Sequence, residues 1–226
     1  MHCHTSVSVH AYHTLGEMVG QAGRIGLAAF AVTDHGPAME DAPRLCHFEG
    51  LPTLPDVMEG VRVYKGVEAN IIDFDGHLDI PDRVLAALDW VIASFHEAVC
   101  PHGSVEQHTR AYLRLAENPY VHVIGHSAGD YAYDFATVLP VWKAKGLLVE
   151  INKNQAELPR CRELALWCKR LRIPVVADSD AHNIYTLGGV EKAMALLRAV
   201  DFPPELIANL DAERMDRFVR ARRQSH

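Results

Sequence analysis

Hydrophobic residues occur along the chain in short runs that alternate with segments of helical periodicity. Seven of these runs are almost continuously apolar, which is typical of parallel strands that are buried on both faces. The runs cover residues 2–5, 28–33, 62–69, 90–95, 121–125, 147–151 and 174–178. Strands that alternate with helices indicate a parallel sheet, so the pattern predicts an α/β fold.

The segments between the runs carry apolar residues at every third or fourth position, as on the buried face of a helix. Leu15, Met18, Val19 and Ala22 show this spacing after Thr14, which is a candidate N-cap residue. Similar patterns cover residues 105–115, 135–144, 164–171 and 187–200, and a short helical pair follows residues 203–204. Residues 36–60, rich in proline and acidic side chains, are predicted to form a loop over one rim of the sheet.

Histidine and carboxylate side chains repeatedly end or follow the apolar runs. They are His2, His4, His10, His35, Glu68, His96, His126, Asp180 and His182. Imidazole and carboxylate groups are the ligands that zinc, manganese and iron take in proteins. In a barrel of parallel strands, the carboxyl ends of the strands form the catalytic rim. An open sheet would spread these side chains too widely for one site, so we expect a closed barrel with more than one metal ion.

The spacing or position of some of these residues indicates how they would bind metal ions. His2 and His4 are two residues apart, so on a strand both face one side while Cys3 faces the other. Asp180 and His182 repeat that spacing. Glu68 ends a buried run, where an isolated charge is costly unless it is paired or binds a metal. Since its two oxygens can contact two ions, Glu68 is the expected bridge between metals.

The overall charge limits the partners of the chain. It has 22 Lys and Arg residues against 29 Asp and Glu residues, a formal net charge of −7. A negative protein is a poor general binder of nucleic acid or anionic membrane, and the one dense basic run, 220–223, is expected to be a solvated helix end. Five cysteines without a CxxC pair favour a reducing compartment. No signal-like or membrane-length apolar segment is found, so we expect a cytoplasmic protein.

Six short segments carry a resemblance to a known family. HCHT, TDHGP, VEAN, FHE, GH and SDAH, in this order, resemble the motifs of the PHP family, named for polymerase and histidinol phosphatase. TDHGPAMEDAP, GVEANI and VDFPPE are similar to its bacterial phosphatase branch. The resemblance covers essentially the whole chain. It implies a single domain, residues 1–226, folded as a distorted seven-stranded (β/α)7 TIM-like barrel that carries three divalent metal ions, with zinc preferred over manganese or iron.

The resemblance also implies a division of the nine residues into three sites. His2, His4, Glu68 and Asp180 would hold the first metal. Glu68 would bridge to a second metal held by His96 and His126, and the third would lie among His10, His35 and His182. The chain departs from the family at residues 126–128, where HSA replaces HPG, and at residues 150–153, where EINK replaces EINN. Both changes border the expected pocket.

Together these features predict a phosphoesterase, more narrowly a phosphomonoesterase that acts on a small phosphorylated substrate. A metal-bridging hydroxide would attack phosphorus in line. Glu68 and Asp180 are the candidates for a direct part in catalysis, and His47, in the predicted rim loop, is a candidate contact to phosphate. The sequence leaves two candidates for the role of general acid, His47 and a metal-bound leaving group. It also leaves the oligomeric state open.

Two other functions remain as alternatives. A nuclease or phosphodiesterase could use the same metals, but the acidic balance and the lack of interleaved basic and aromatic residues weaken that hypothesis. A non-catalytic metal-binding module is the second alternative. It is disfavoured because metal storage does not require an open cleft at the ends of strands.

Overall fold

A curled sheet of parallel strands forms the centre of the molecule in a computed structural model, which describes residues 1–223 and side chains up to residue 220. Its strands are β1 (Ala29–Val32), β2 (Val57–Met58), β3 (Val61–Asn70), β4 (Trp90–Ser94), β5 (Val123–Ile124), β6 (Leu148–Asn152) and β7 (Val175–Asp178). The order is β1-β3-β4-β5-β6-β7, with every pair parallel, and β2 adds to β3 as a short antiparallel partner. The predicted α/β fold and distorted barrel are confirmed.

The N-terminal segment completes the curl of the sheet, although it is not the strand that was predicted for residues 2–5. The His4 N–H donates to Ala181 O (2.8 Å), and the Thr33 N–H donates to Cys3 O (2.8 Å). The segment thus lies between the end of β1 and the residues after β7. Its pairing is limited to the bridge between Cys3 and Ala181 because Asp180 has a left-handed φ of 47° and the chain turns after Thr5.

Eight helices surround the strands within residues 1–223. They are α1 (Leu15–Arg24), α2 (Leu45–Gly50), α3 (Asp82–Leu85), α4 (Val105–Leu115), α5 (Phe135–Ala144), α6 (Pro159–Leu171), α7 (Glu191–Ala199) and α8 (Ala212–Arg223). The bounds of α4 and α5 match the prediction. Thr14 is the N-cap of α1: its hydroxyl accepts from the Glu17 N–H (3.3 Å), and the Glu17 carboxylate accepts from the Thr14 N–H (2.8 Å).

The prediction of a loop over residues 36–60 is wrong from residue 45 onward. That part contains α2, a 3-10 turn at Leu51–Thr53 and β2. Phe48 and Leu51 are buried and anchor the segment to the core. The sequence did not reveal these elements because they are too short to show a helical or strand period.

The inner face of the sheet changes from apolar at one end to polar at the other. Alternate residues point inward, so Leu148, Glu150 and Asn152 follow one another along the inside of β6. At the amino end, an apolar cluster of inward side chains packs against Met215 and Val219 of α8, which closes that mouth of the barrel. The carboxyl end is left polar. No helix in residues 1–223 is long and apolar enough to cross a membrane.

The basic run at residues 220–223 belongs to the end of α8. Arg220 is exposed and lies 3.7 Å from the Asp216 carboxylate one turn earlier, as expected for a solvated helix end. The side chains of residues 221–223 lie outside the described part. All five cysteines are free. Cys3, which the sequence places on the face opposite His2 and His4, is buried, and its Sγ–H donates to Ala31 O (2.9 Å).

Candidate metal centre

Glu68 lies at the centre of a cluster of imidazoles on the inner face of β3. Its Oε2 is 2.8 Å from His35 Nδ1, 3.2 Å from His2 Nε2 and 3.5 Å from His4 Nε2. Its Oε1 is 2.7 Å from His126 Nε2, and His96 Nε2 lies 3.3 Å from the same oxygen. The two carboxylate oxygens therefore face two different groups of ring nitrogens.

Asp180 supplies a second carboxylate on the side of the cluster that is formed by His2 and His4. Its Oδ1 lies 3.3 Å from His4 Nε2 and 3.6 Å from His2 Nε2. The left-handed φ of 47° at Asp180 turns the chain inward directly after β7. A strained backbone of this kind is common at functional sites, and aspartate tolerates it better than most residues.

His10 completes the cluster from the loop that follows the N-terminal segment. Its Nε2 lies 2.9 Å from His182 Nε2 and 3.2 Å from His35 Nε2. Its Nδ1 is paired with the carboxylate of Asp41. All nine residues predicted from the sequence thus lie at the same end of the barrel.

The nine residues overlap more than the implied division into three sites. Three sets have ligand atoms within 4.8 Å of one another: His2 with His4 and Glu68, His35 with Glu68 and His96, and His4 with His35 and His182. His35 therefore belongs to the surroundings of Glu68 as well as to those of His182. His4 is likewise shared between the Glu68 end and the His182 end.

Several ligand side chains follow the end of a strand. His35 and His96 follow β1 and β4 by a few residues, His126 follows β5, and Asp180 follows β7. Glu68 differs because it lies within β3, which is long and continues to Asn70. The carboxyl ends of parallel strands meet at one mouth of a barrel, which explains why residues far apart in sequence converge here.

Several residues that hold the imidazoles were not identified from the sequence. Glu150 Oε1 lies 2.7 Å from His2 Nδ1, and its Oε2 accepts a hydrogen bond from the His126 N–H. Asn70 Oδ1 lies 2.7 Å from His96 Nδ1. Glu150 and Asn70 are polar residues at inward positions of buried strands, a signal that could have found them. The contact from Asp41 to His10 had no such signal, since both residues lie in loops.

Asp34 organises the loop that carries His10. The fully buried carboxylate accepts hydrogen bonds from Thr5 N–H (2.7 Å), Thr5 Oγ1 (2.9 Å) and Ser8 Oγ (2.9 Å). His47 Nε2 lies 3.4 Å from its second oxygen. His47, a candidate for phosphate contact, is thus located beside Asp34 and does not line the cleft above the cluster.

Burial and mutual proximity shift the pKa values of the cluster strongly. Burial alone would raise the pKa of Glu68, but the charges of His2, His96 and His35 outweigh it and hold that pKa well below its usual value. Burial would lower the pKa of His126, yet the hydrogen bond to Glu68 raises it to about 9. Burial, reinforced by His35, lowers the pKa of His4 to about 3.

The donor atoms of the cluster fit metal ions better than they fit one another. His2 Nε2, both ring nitrogens of His4, His35 Nδ1 and Glu68 Oε2 are buried without a hydrogen-bond partner among the described residues. Unsatisfied buried polar atoms are costly, so native proteins rarely keep them. Nitrogen and carboxylate atoms that face one another without hydrogen bonds are a donor set that divalent zinc accepts.

An open cleft of about 320 Å³ gives access to the cluster. Its walls include His10, His35, Glu68, His96, His126, Asp180 and His182, together with Met39, Asn152, Asn154 and Gln155. No lysine or arginine of the described chain lines it. The cleft can admit a small molecule directly onto the faces of the imidazoles and carboxylates.

Comparison with known proteins gives matches along the whole chain. The family model of the PHP domain matches residues 1–140. A protein of Acetivibrio thermocellus named a probable phosphatase is 39% identical over 229 residues, covering 99% of this chain and 95% of that protein. A probable phosphatase of Clostridium novyi is 35% identical over 229 residues, covering 98% and 94%.

Two solved structures are similar in fold. Histidinol phosphate phosphatase of Lactococcus lactis, complexed with zinc, L-histidinol and phosphate, gives a TM-score of 0.57 at 18% identity, covering 89% of this chain and 93% of that one. A chain of archaeal ribonuclease P with mature tRNA gives a TM-score of 0.56 at 12% identity, covering 98% and 90%. At these identities the two matches show a shared fold alone.

Proposed function

Because the chain belongs to the PHP domain family, we propose that it is a metal-dependent phosphatase that hydrolyses phosphate monoesters with three divalent metal ions, zinc foremost. The observation that carries the proposal is the buried carboxylate of Glu68, which faces five imidazoles with both oxygens. Relatives that cover almost the whole chain are named probable phosphatases. The substrate is a small phosphorylated molecule.

The metal ligands would divide as the family motifs imply, with His4 and His35 lying close to more than one site. His2, His4, Glu68 and Asp180 would hold one ion; Glu68, His96 and His126 would hold a second; and His10, His35 and His182 would hold a third. When bound, such ions lower the pKa of water and neutralise the charge that builds on phosphoryl oxygens during hydrolysis. The nitrogens of His2, His4 and His35 that have no hydrogen-bond partner are the atoms that would gain one.

The hydrogen-bond partners of the histidine ligands determine which ring nitrogen of each histidine faces the metal cluster. Glu150 accepts the Nδ1 proton of His2, so that Nε2 carries the lone pair on the side of Glu68. Asn70 does the same for His96. Asp41 fixes His10 through Nδ1, and Nε2 then points to His35 and His182. His47 acts at a distance, as a partner of the Asp34 carboxylate that holds the loop before His10.

Amide side chains at the mouth of the cleft position the phosphate ester. Asn154 and Gln155 line the cleft beside Asp180 and His126. Gln155 is held by the Ala128 N–H, which donates to Oε1 (3.1 Å), and its NH₂ group is oriented as a donor. Donors of this kind orient phosphoryl oxygens and help to exclude water without adding charge.

We predict that the metal affinity and the turnover of an aryl phosphate are about 10- to 100-fold lower in the Glu150→Gln variant than in the wild type. This is the usual cost of losing a residue that holds a metal ligand in place. The amide keeps the shape but cannot accept at both oxygens from His2 and the His126 N–H. Metal titration and steady-state rates measure the effect. Glu163→Gln on the exposed face of α6 is the matched control. An unaltered metal affinity in Glu150→Gln would exclude the positioning role.

We also predict that metal-loaded enzyme hydrolyses an aryl phosphate much faster than a bis-aryl phosphodiester or a single-stranded oligonucleotide. A nuclease needs cationic side chains along a groove to hold several phosphates. The described residues of the cleft include none. The three substrates are compared at equal concentration by phosphate release and by oligonucleotide length. A faster rate on the oligonucleotide would favour the nuclease alternative instead.

A further inference from the structure

A second hollow opens beside the metal cleft. It has a volume of about 380 Å³ and shares four lining residues with the cleft, namely Met39, His96, His126 and Gln155. Because four residues line both spaces, the hollow adjoins the cleft and lies within reach of a molecule whose phosphate lies over the metal cluster. We call it the side pocket.

One wall of the side pocket is aromatic and rigid. The rings of Phe95 and Tyr131 are parallel within 3°, with centroids 4.5 Å apart, and both residues are buried. The His102 ring lies 4.3 Å from that of Tyr131. The Tyr131 hydroxyl donates to Cys100 O, which fixes the ring. A preformed aromatic wall of this kind packs best against a flat or apolar group.

The rim of the side pocket is acidic. Glu97 and Asp130 line it and are exposed, and no lysine or arginine of the described chain lines either the side pocket or the cleft. His102 lies 3.9 Å from Glu97, on the side of the pocket away from the metal cluster. Beyond the reach of the metal ligands His96 and His126, an anionic group at the rim would therefore meet two carboxylates without a lysine or arginine to pair with.

We propose that the side pocket binds the leaving group of the phosphate monoester and selects flat leaving groups that are neutral or positively charged over those that carry a second anionic group. The inference rests on the proposed phosphatase function. The rings of Phe95, Tyr131 and His102 together provide the aromatic wall, and Glu97 and Asp130 determine the charge preference. Substrates with a second phosphate or a carboxylate are disfavoured by repulsion at the rim.

Three aryl phosphates of nearly equal size test the charge preference. Phenyl phosphates with a para aminomethyl, methyl or carboxymethyl group carry a positive, neutral or negative leaving group, and the methylene insulates the phenol oxygen. With the full-length, metal-loaded enzyme, kcat/KM for the cationic ester is expected to exceed that for the anionic ester by about three- to tenfold, the size that one or two exposed charge pairs produce.

In the double variant Glu97→Gln, Asp130→Asn, the ratio of kcat/KM for the cationic ester to kcat/KM for the anionic ester is expected to fall close to one. Glu213→Gln, which removes an exposed carboxylate at the opposite mouth of the barrel, should leave the ratio unchanged. A double variant that keeps the wild-type ratio would overturn the assignment of Glu97 and Asp130. Equal rates for all three esters with wild-type enzyme would refute the charge preference, whereas no hydrolysis of any ester would instead refute the phosphatase proposal.

A steric test separates the side pocket from the metal cleft. Ala98 is exposed and lines the side pocket but not the cleft, so Ala98→Trp fills the pocket from its mouth. The KM of the aryl phosphates should rise, while the inhibition constant of inorganic phosphate, which needs only the cleft, should stay the same. An unchanged KM for the aryl phosphates would show that the leaving group binds elsewhere.

Discussion

The Glu68→Gln variant is expected to lose at least about a hundredfold to a thousandfold in turnover, the range seen when one electrostatic element of an active site is removed. Glu68 is fully buried and contacts imidazoles with both oxygens. The amide keeps the shape of the carboxylate, but it has no negative charge to share between two cations. One of the two carboxylate oxygens is also replaced by an NH₂ group, which donates hydrogen bonds instead of accepting them.

The His10→Ala variant is the appropriate comparison for that loss. His10 is half exposed, and its ring contacts are His35, His182 and Asp41, at the outer end of the cluster. Its removal disturbs only the third ion, so a smaller loss of about tenfold is expected. Steady-state rates at saturating metal measure both. Equal losses in the two variants would show that Glu68 is not the bridging ligand.

Removal of the metals is expected to lower the melting temperature by between about 8 and 16 °C, since a ligand at a thousand times its Kd contributes about 4 kcal/mol and each kcal/mol shifts a domain of this size by about 2–4 °C. The ligands connect parts of the chain that are far apart in sequence. His2 and His4 lie on the N-terminal segment, His10 lies in a loop, and Glu68 and Asp180 lie in β3 and after β7. Without metal, the imidazoles and carboxylates of the cluster lose their shared partners.

Thermal unfolding with chelator and with added zinc measures this shift. The Glu68→Gln variant serves as the control, because its melting temperature should respond much less to zinc. Identical melting curves of the wild-type protein in both conditions would contradict a metal centre that stabilises the fold.

The positions that could be predicted from sequence are those fixed by strand geometry. His35, His96 and His126 each follow an apolar run, and such runs end at one mouth of a parallel barrel, so their convergence followed from the fold. Glu68 was recognisable because a charge in a buried run needs a partner. The same reasoning applies to Glu150, which lies two residues before Asn152 on the inner face of β6.

The positions that escaped prediction depend on how loops fold. Asp41 reaches His10 and Asp34 holds Thr5 and Ser8 across large distances in sequence, and neither pairing has a period or motif. His47 was expected at the phosphate because its segment was predicted to be a loop over the rim. Instead α2, anchored by the buried Phe48, places it against Asp34. Short elements that are held by tertiary packing carry too little local signal to be read in advance.

The positions of the metal ions themselves test the account most directly. A crystal of the zinc-loaded protein, measured on both sides of the zinc absorption edge, should show three anomalous peaks around Glu68, each at about 2.0–2.2 Å from histidine nitrogens or carboxylate oxygens. Two of the peaks should contact the Glu68 carboxylate, and the third should contact His10 and His182. A single peak, or peaks that leave Glu68 without a metal contact, would contradict the three-metal phosphatase centre proposed for this chain.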